Sequence, residues 1–169
     1  MRGTRGFTLI EVMLVVAIIG ILTGLAVGMS GNWRERQNYN EASREVYNAL
    51  TTARSESRVK GGSVVVTFEP QRIRVFRDAN GDHQFNGTDT LLYLYPAAGS
   101  SFPTPVTLSS TTLTLVGATP TTQFDARGFA VDPADGTTFK GGSIVVTDSV
   151  LGNSRTVDFT LAGAVRISR

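Results

Sequence analysis

The sequence predicts an α+β protein: one long N-terminal helix, apolar in its first half and amphipathic in its second, packed on an antiparallel β-sheet domain. Three observations predict it. Residues 12–32 carry no ionisable side chain and are mostly aliphatic, long enough for a helix to cross a bilayer. Residues 34–60 then place Tyr39, Ala42, Val46, Ala49, Leu50 and Ala53 at spacings of three and four, the pattern of a helix with one buried stripe. After Gly62 the chain changes to short β-type runs punctuated by Gly, Pro, Asn and Asp.

Composition narrows the function classes. With 169 residues and 41% hydrophobic side chains, the chain can build one domain with a core plus one membrane segment, and not two large domains. It has no cysteine, hence no disulfide framework and no thiolate metal or redox site. His83 is the sole histidine, and there is neither a phosphate-binding glycine motif nor a convincing catalytic pair, so the chain is not expected to be an enzyme. The net charge of +2 and a pI near 9.3 invite a nucleic-acid reading. Yet Arg2 and Arg5 precede Phe7, and taking those two from sixteen basic residues leaves fourteen against fourteen acidic ones.

The elements follow in order. Residues 1–6, "MRGTRG", form a short basic leader. Residues 7–32 form the membrane segment, with Arg2 and Arg5 favouring a cytoplasmic N-terminus, Arg34 and Arg36 blunting that asymmetry, and Trp33 at the place of an interfacial aromatic. Glu11 interrupts the apolar run. A carboxylate there costs about 2.5–3.5 kcal/mol on insertion scales unless its side chain snorkels to the interface. That cost also argues against an ordinary cleaved secretory signal, which the small residues Ala26 and Gly28 would otherwise permit. Gly20, Gly24 and Gly28 give two overlapping small-xxx-small spacings, which either permit close helix approach in lipid or reflect the frequency of small residues in membrane helices. Residues 33–61 continue as the amphipathic helix, ended by Gly61 and Gly62.

Residues 62–169 are the β-rich domain, with strands expected at "SVVVTF", "RIRVF", "LLYLY", "TLTLV", "SIVVT", "RTVDFTLA" and "AVRI". In "RTVDFTLA", Val157, Phe159 and Leu161 share one face and Thr156, Asp158 and Thr160 the other, as in a sheet with one buried side. "KGGSVVVT" at 60–67 nearly recurs as "KGGSIVVT" at 140–147. The flanks do not match, which predicts two strands entered through similar Gly-Gly turns rather than a duplicated domain. Residues 97–120, rich in Ser, Thr and Pro, read as surface loop with one or two edge strands.

The basic leader ending in Gly6, followed by "FTLIEVMLVVAIIGIL", resembles the class III signal of type IV pilins and type II secretion pseudopilins. Within that superfamily, "ALTTARSESRVKGGSVVVTF", "FDARGFA" and "FTLAGAVRISR" resemble the GspH/FimT minor pilins and pseudopilins. The resemblance implies a pilin-like fold and a structural role in a type IV pilus or type II secretion pseudopilus, priming assembly or sitting near the tip. It implies cleavage between Gly6 and Phe7 by a prepilin peptidase, N-methylation of Phe7, a single pass through the bacterial inner membrane and a periplasmic domain. It also implies that Glu11 pairs with the N-terminal amine of a neighbouring subunit, so the partners are other minor and major pilins or pseudopilins. Such pairing offsets the cost of a carboxylate in hydrocarbon only when subunits are correctly stacked. The family commonly has proline where this chain has Gly28, so no particular kink is carried over.

Two further segments point to ligands. From Asp78, oxygen-bearing side chains fall at places one, three, five, seven, nine and twelve: Asp78, Asn80, Asp82, Gln84, Asn86 and Asp89. This spacing resembles a calcium loop, although His83 stands at the sixth place, where glycine normally allows the sharp turn. The alternative is a polar hairpin loop. Arg155, Arg166 and Arg169 near the C-terminus form the candidate DNA-binding set, as in FimT-like minor pilins associated with DNA uptake, set against a plain solvated face.

Overall fold

A computed structural model describes residues 7–28 and 30–168. The chain divides into two units, Met1–Arg34 and Glu35–Arg169. In the first, helix α1 spans Leu9–Gly28. It opens at Thr8, whose carbonyl accepts the amides of Glu11 and Val12 at 3.1 and 3.3 Å. Inside it, the Thr23 hydroxyl donates to the Ile19 carbonyl at 2.7 Å, which satisfies the one hydroxyl donor in an apolar run.

Helix α2 spans Ser30–Lys60. It stops where Gly61 and Gly62 take left-handed φ values of 66° and 102°, a conformation costly for residues with a Cβ. Among the described residues ten strands follow: β1 (Val64–Glu69), β2 (Arg72–Arg77), β3 (Thr90–Tyr95), β4 (Val106–Ser109), β5 (Thr114–Val116), β6 (Thr119–Phe124), β7 (Ala130–Val131), β8 (Gly142–Asp148), β9 (Asn153–Phe159) and β10 (Val165–Ser168). They form two antiparallel sheets. One has the order β3-β2-β1-β6-β5, with β7 also on β6; the other has the order β10-β9-β8-β4.

Every stripe residue expected from the sequence, from Tyr39 to Ala53, is buried. The stripe shares one core with Val64, Val66, Phe68, Ile73 and Val75 of the first sheet, and with Ile144, Val146, Val157 and Phe159 of the second. Three of its six residues are alanine, so the helix axis approaches both sheets closely. Ser43 and Ser57 are buried beside them, their hydroxyls donating to the carbonyls of Tyr39 and Arg54 at 2.9 Å each. At the β3 edge, the Tyr93 hydroxyl donates to Glu45, and that of Tyr95 donates to Glu41 at 2.9 Å. Partial burial, then the facing carboxylate, pushes both tyrosines above their ordinary pKa.

The structure departs from the sequence expectation in three places. Strand β6, "TPTTQF", was not among the expected strands, yet it lies centrally between β1 and β5. Its Pro120 faces Leu115 of β5, whereas only Thr121–Phe124 pair with β1, so the missing amide does not interrupt the central ladder. Strand β4, by contrast, is an edge strand within the 97–120 segment as expected, pairing with β8 and burying Val106 and Leu108. Leu161 lies beyond the end of β9 and is exposed, so only Val157 and Phe159 of that alternation reach the core. The two Gly-Gly pairs also differ. Gly61 and Gly62 make a left-handed turn, while Gly141 and Gly142 serve close approach: a Cβ would lie 2.6 Å from the Phe159 carbonyl oxygen and 2.5 Å from Leu113 Cδ2.

Leu50, fully buried in the stripe, is expected to cost about 2–5 kcal/mol when replaced by alanine. Thermal denaturation of Leu50→Ala should show a Tm lower by roughly 5 °C or more. Exposed Val59→Ala, on the same helix, should leave Tm nearly unchanged.

Candidate functional site

The first candidate is α1. Phe7, Leu9, Ile10, Met13, Leu14, Val16, Ile19, Ile21 and Leu22 are all exposed, on every side of the helix. Glu11 is the one charged side chain of α1, in its first turn, where a carboxylate complements the free amides of a helix start. Apart from the helix's own adjoining backbone, no atom among the described residues lies within 4 Å of a Cβ placed on Gly20 or Gly24. Gly28 is the last residue of α1, and its surroundings, like Gly6 and the leader, lie outside the described residues. Such a surface is stable only where lipid or other helices replace water.

The second candidate is the loop between β2 and β3. The structure brings all six oxygen-bearing residues into it, and five of them, all but Gln84, turn a side-chain oxygen to the loop's own donors. Asp78 accepts the amides of Gly81 at 2.7 Å and His83 at 2.9 Å. Asp82 accepts the Gln84 amide at 2.8 Å and the side-chain amides of Asn80 and Asn86, both at 2.9 Å. Its carboxyl is held below the ordinary range, first by the Gln84 amide and then by Asn80. Asp89 accepts the amides of Ala79 and Asn86 at 3.1 and 2.8 Å. His83 adopts φ 57° despite its side chain, held by Asp78 and by a 2.9 Å contact from Nε2 to Gln123 Oε1. Phe85 packs edge-on against Phe76 with ring centres 5.5 Å apart. Among the described residues no three acidic or histidine groups converge as metal ligands. The calcium expectation therefore rests on sequence spacing alone.

The third candidate, the arginine set, is not brought together. Arg155 stacks on Tyr39 with its guanidinium carbon 4.9 Å from the ring centre, and donates to Asn40 Oδ1 at 2.9 Å. Arg155 faces Val146 across the β8–β9 ladder, so it lies on the core side of the sheet. Arg166 faces Asp158, a neighbour of Val157, and so lies on the opposite side. Arg169 lies outside the described residues. A shared phosphate-binding surface needs its cations on one face, and these two are on different ones.

Comparison with known proteins assigns the family. The model of the family described as "Type II transport protein GspH" matches residues 42–163, most of the chain. The chain belongs to the GspH family. The model described as "Prokaryotic N-terminal methylation motif" matches residues 1–27. Two curated relatives, both named "Fimbrial protein" and both from Pseudomonas aeruginosa, are 34% identical over 97 residues. Each match takes in 53% of this chain and 62% of the relative, so the chain spans less than two thirds of their length. The crystal structure of the Pseudomonas aeruginosa type IV minor pilin FimU matches with a TM-score of 0.58 at 14% identity, covering 81% of this chain and 92% of that one. That likeness is one of fold, and it is the pilin-like α+β fold expected from the sequence. GspH-family chains are structural components, not enzymes.

Within the GspH match lies a turn that the sequence marked only as "FDARGFA". Asp125 organises it, accepting the amides of Arg127 and Phe129 at 2.9 Å each, while Arg127 Nη2 closes an ion pair at 2.8 Å. Gly128 takes φ 81° at the turn. Arg127 sits between Phe129 and Phe139, 5.4 Å from each ring centre. Further on, Asp132 accepts from Thr114 at 2.7 Å and from Lys140 Nζ at 2.9 Å. Asp135 accepts the Thr138 hydroxyl and the amides of Thr137 and Thr138. No signal in one sequence distinguishes such turn-closing aspartates from solvated ones, because their donors come from residues brought near by the turn itself.

Two outcomes are expected. Because its oxygens are held by its own amides, the 78–89 loop should show the same Tm in millimolar calcium as in chelator. A reversible rise in calcium would restore the metal reading. The Thr138 hydroxyl and neighbouring amides depress Asp135 from 3.8 to about 2. For Asp132, burial opposes ionisation, but the Ala134 amide and then Lys140 outweigh it and lower the pKa. A depressed carboxyl stabilises the fold above its unfolded pKa and loses that contribution as pH falls through the folded one. Tm should here be flat above about pH 4 and fall progressively toward pH 2, with a shallower fall in Asp132→Asn.

Proposed function

We propose that this chain is a minor pilin or minor pseudopilin that a prepilin peptidase cuts between Gly6 and Phe7. Its new Phe7 amine is methylated, and the subunit is built into a type IV pilus or a type II secretion pseudopilus, priming assembly or sitting near the tip. Residues 1–6 are the leader, 7–32 the membrane and filament-core helix, 33–61 the amphipathic helix and 62–169 the periplasmic domain. The subunit waits in the bacterial inner membrane as a single-pass protein and partners other pilins or pseudopilins.

The observation that supports this reading most is α1 itself: apolar and exposed on all sides, with one carboxylate near its start. Among the described residues no helix is long and apolar enough to cross a membrane. The expected span, 12–32, runs past Gly24 into positions whose side chains are not described. What supports an anchor is therefore the sequence of the whole run together with its match to the methylation motif. Glu11 gains a partner when the methylated amine of an adjacent subunit reaches it in the same low-dielectric layer. DNA uptake, the alternative, has no observation in its favour, since Arg155 and Arg166 face opposite ways.

Glu11→Ala should leave membrane insertion and Gly6/Phe7 cleavage largely intact, because it removes a charge from an apolar segment. Incorporation should fall several-fold, read as the ratio of filament-bound to membrane-bound subunit in sheared preparations. Wild-type incorporation of that variant would sink the pairing role.

A further inference from the structure

The geometry points to a carboxylate receptor on α2: we infer that Arg54 and Arg58 receive an acidic segment of a neighbouring subunit. This rests on the filament-subunit reading for its partner. Arg54 and Arg58 stand one turn apart and, with Thr51, Ser55 and Val59, line a groove along the helix. Neither makes an ion pair among the described residues, where the five pairs involve Lys60, Arg72, Arg74, Arg127 and Lys140. Arg54 Nε is buried without an acceptor. An unpaired buried donor is costly, and two like charges at this spacing repel.

The rest of the fold holds both side chains in place without neutralising them. A Cβ on Gly128 would lie 2.6 Å from Arg58 Cγ and Cδ, and one on Gly163 would lie 2.8 Å from Arg54 Cδ and Nε. Both glycines are left-handed, at φ 81° and 74°, so two turns present bare backbone on which the arginine stems lie. Three of the four carboxylates on α2 have partners elsewhere, Glu41 with Tyr95, Glu45 with Tyr93 and Glu56 with Lys60, and the fourth, Glu35, stands about five turns before Arg54. The result is a pair of arginine stems held against backbone before any partner arrives, which lowers the entropy lost on binding.

Carboxylate is the ligand chemistry that suits them, since planar forks bind it bidentately. Val59, 75% exposed at the end of the groove, offers an apolar contact of the kind a polypeptide can use. Nucleic acid would need several cations along its backbone, whereas the whole chain carries a net charge of only +2. An acidic polypeptide segment is therefore favoured over a phosphate chain.

The test uses the full-length chain in detergent micelles and a fluorescein-labelled hexaglutamate peptide, read by fluorescence anisotropy. Saturable binding is expected, weakened about tenfold or more in R54Q/R58Q. Binding should be weakened to a lesser degree in R54K/R58K, which keeps the charges and loses the forks, and should be retained in Arg44→Gln, a control on an exposed part of the same helix. Should the double glutamine variant lose its circular dichroism signal, Arg58→Gln alone carries the same comparison. Absent binding, equal binding by the glutamine variants, or displacement by inorganic phosphate or duplex DNA as effective as by unlabelled hexaglutamate would each overturn the assignment. No filament enters this readout, so its failure leaves the filament reading standing, and wild-type incorporation of Glu11→Ala leaves this one standing.

Discussion

The domain depends on one contact: the apolar stripe of α2 lying across the inner faces of two sheets. The inner faces of the two sheets share a single core. Val64, Val66 and Phe68 from one, and Ile144, Val146 and Phe159 from the other, are buried because the same helix lies over both. Water leaving these side chains is the main favourable term, at about 25 cal/mol per Å² of apolar surface. The alanines at 42, 49 and 53 set the closeness of approach, and larger side chains there would push the helix off one sheet or the other. The hydroxyls of Tyr93 and Tyr95, donating to Glu45 and Glu41, then fix how the outermost strand meets the helix.

Once the inner faces are occupied, the outer face of the first sheet still needs cover. Val65 and Phe76, paired across β1 and β2, point away from the helix and are nevertheless fully buried. The 78–89 loop accounts for part of this, laying Phe85 against Phe76 and His83 against Gln123. Thr67 and Thr121, neighbours across β1 and β6, are largely buried too. The loop is therefore a structural cover whose conformation is maintained by its own aspartates and asparagines. A segment can carry the spacing of a cation loop and still spend its oxygens on turn amides, since both uses favour short acidic side chains at alternate positions.

Helix α1 obeys a different rule. Among the described residues of its own unit nothing covers it, so its stability comes from what surrounds it. In hydrocarbon the internal helical hydrogen bonds suffice for the backbone, and Thr23 meets its obligation by donating to Ile19. Only Glu11 is left with a demand that lipid does not meet.

Much of this was legible in the sequence. The stripe on α2 obeys the 3.6-residue period, and helix periodicity is a local property, so all six stripe residues were identified before any partner was known. The helix end at Gly61 and the alternating strands were readable for the same reason. Residues 1–27 carry their own motif because its recognition depends on consecutive residues. Strand β6 was hidden: its Thr, Gln and Pro look like loop, and it becomes a central strand only because β1 and β5 supply its hydrogen bonds. The two Gly-Gly pairs look alike and act differently, because one meets open space and the other the backbone of β9. Likewise no spacing rule could tell that Arg155 and Arg166 face apart, or that Arg54 and Arg58 lie over two distant glycines. The sequence by itself determined what each segment becomes, since periodicity and turn residues act locally. Tertiary structure alone decided which segments meet, since strand register and close packing depend on partners far along the chain.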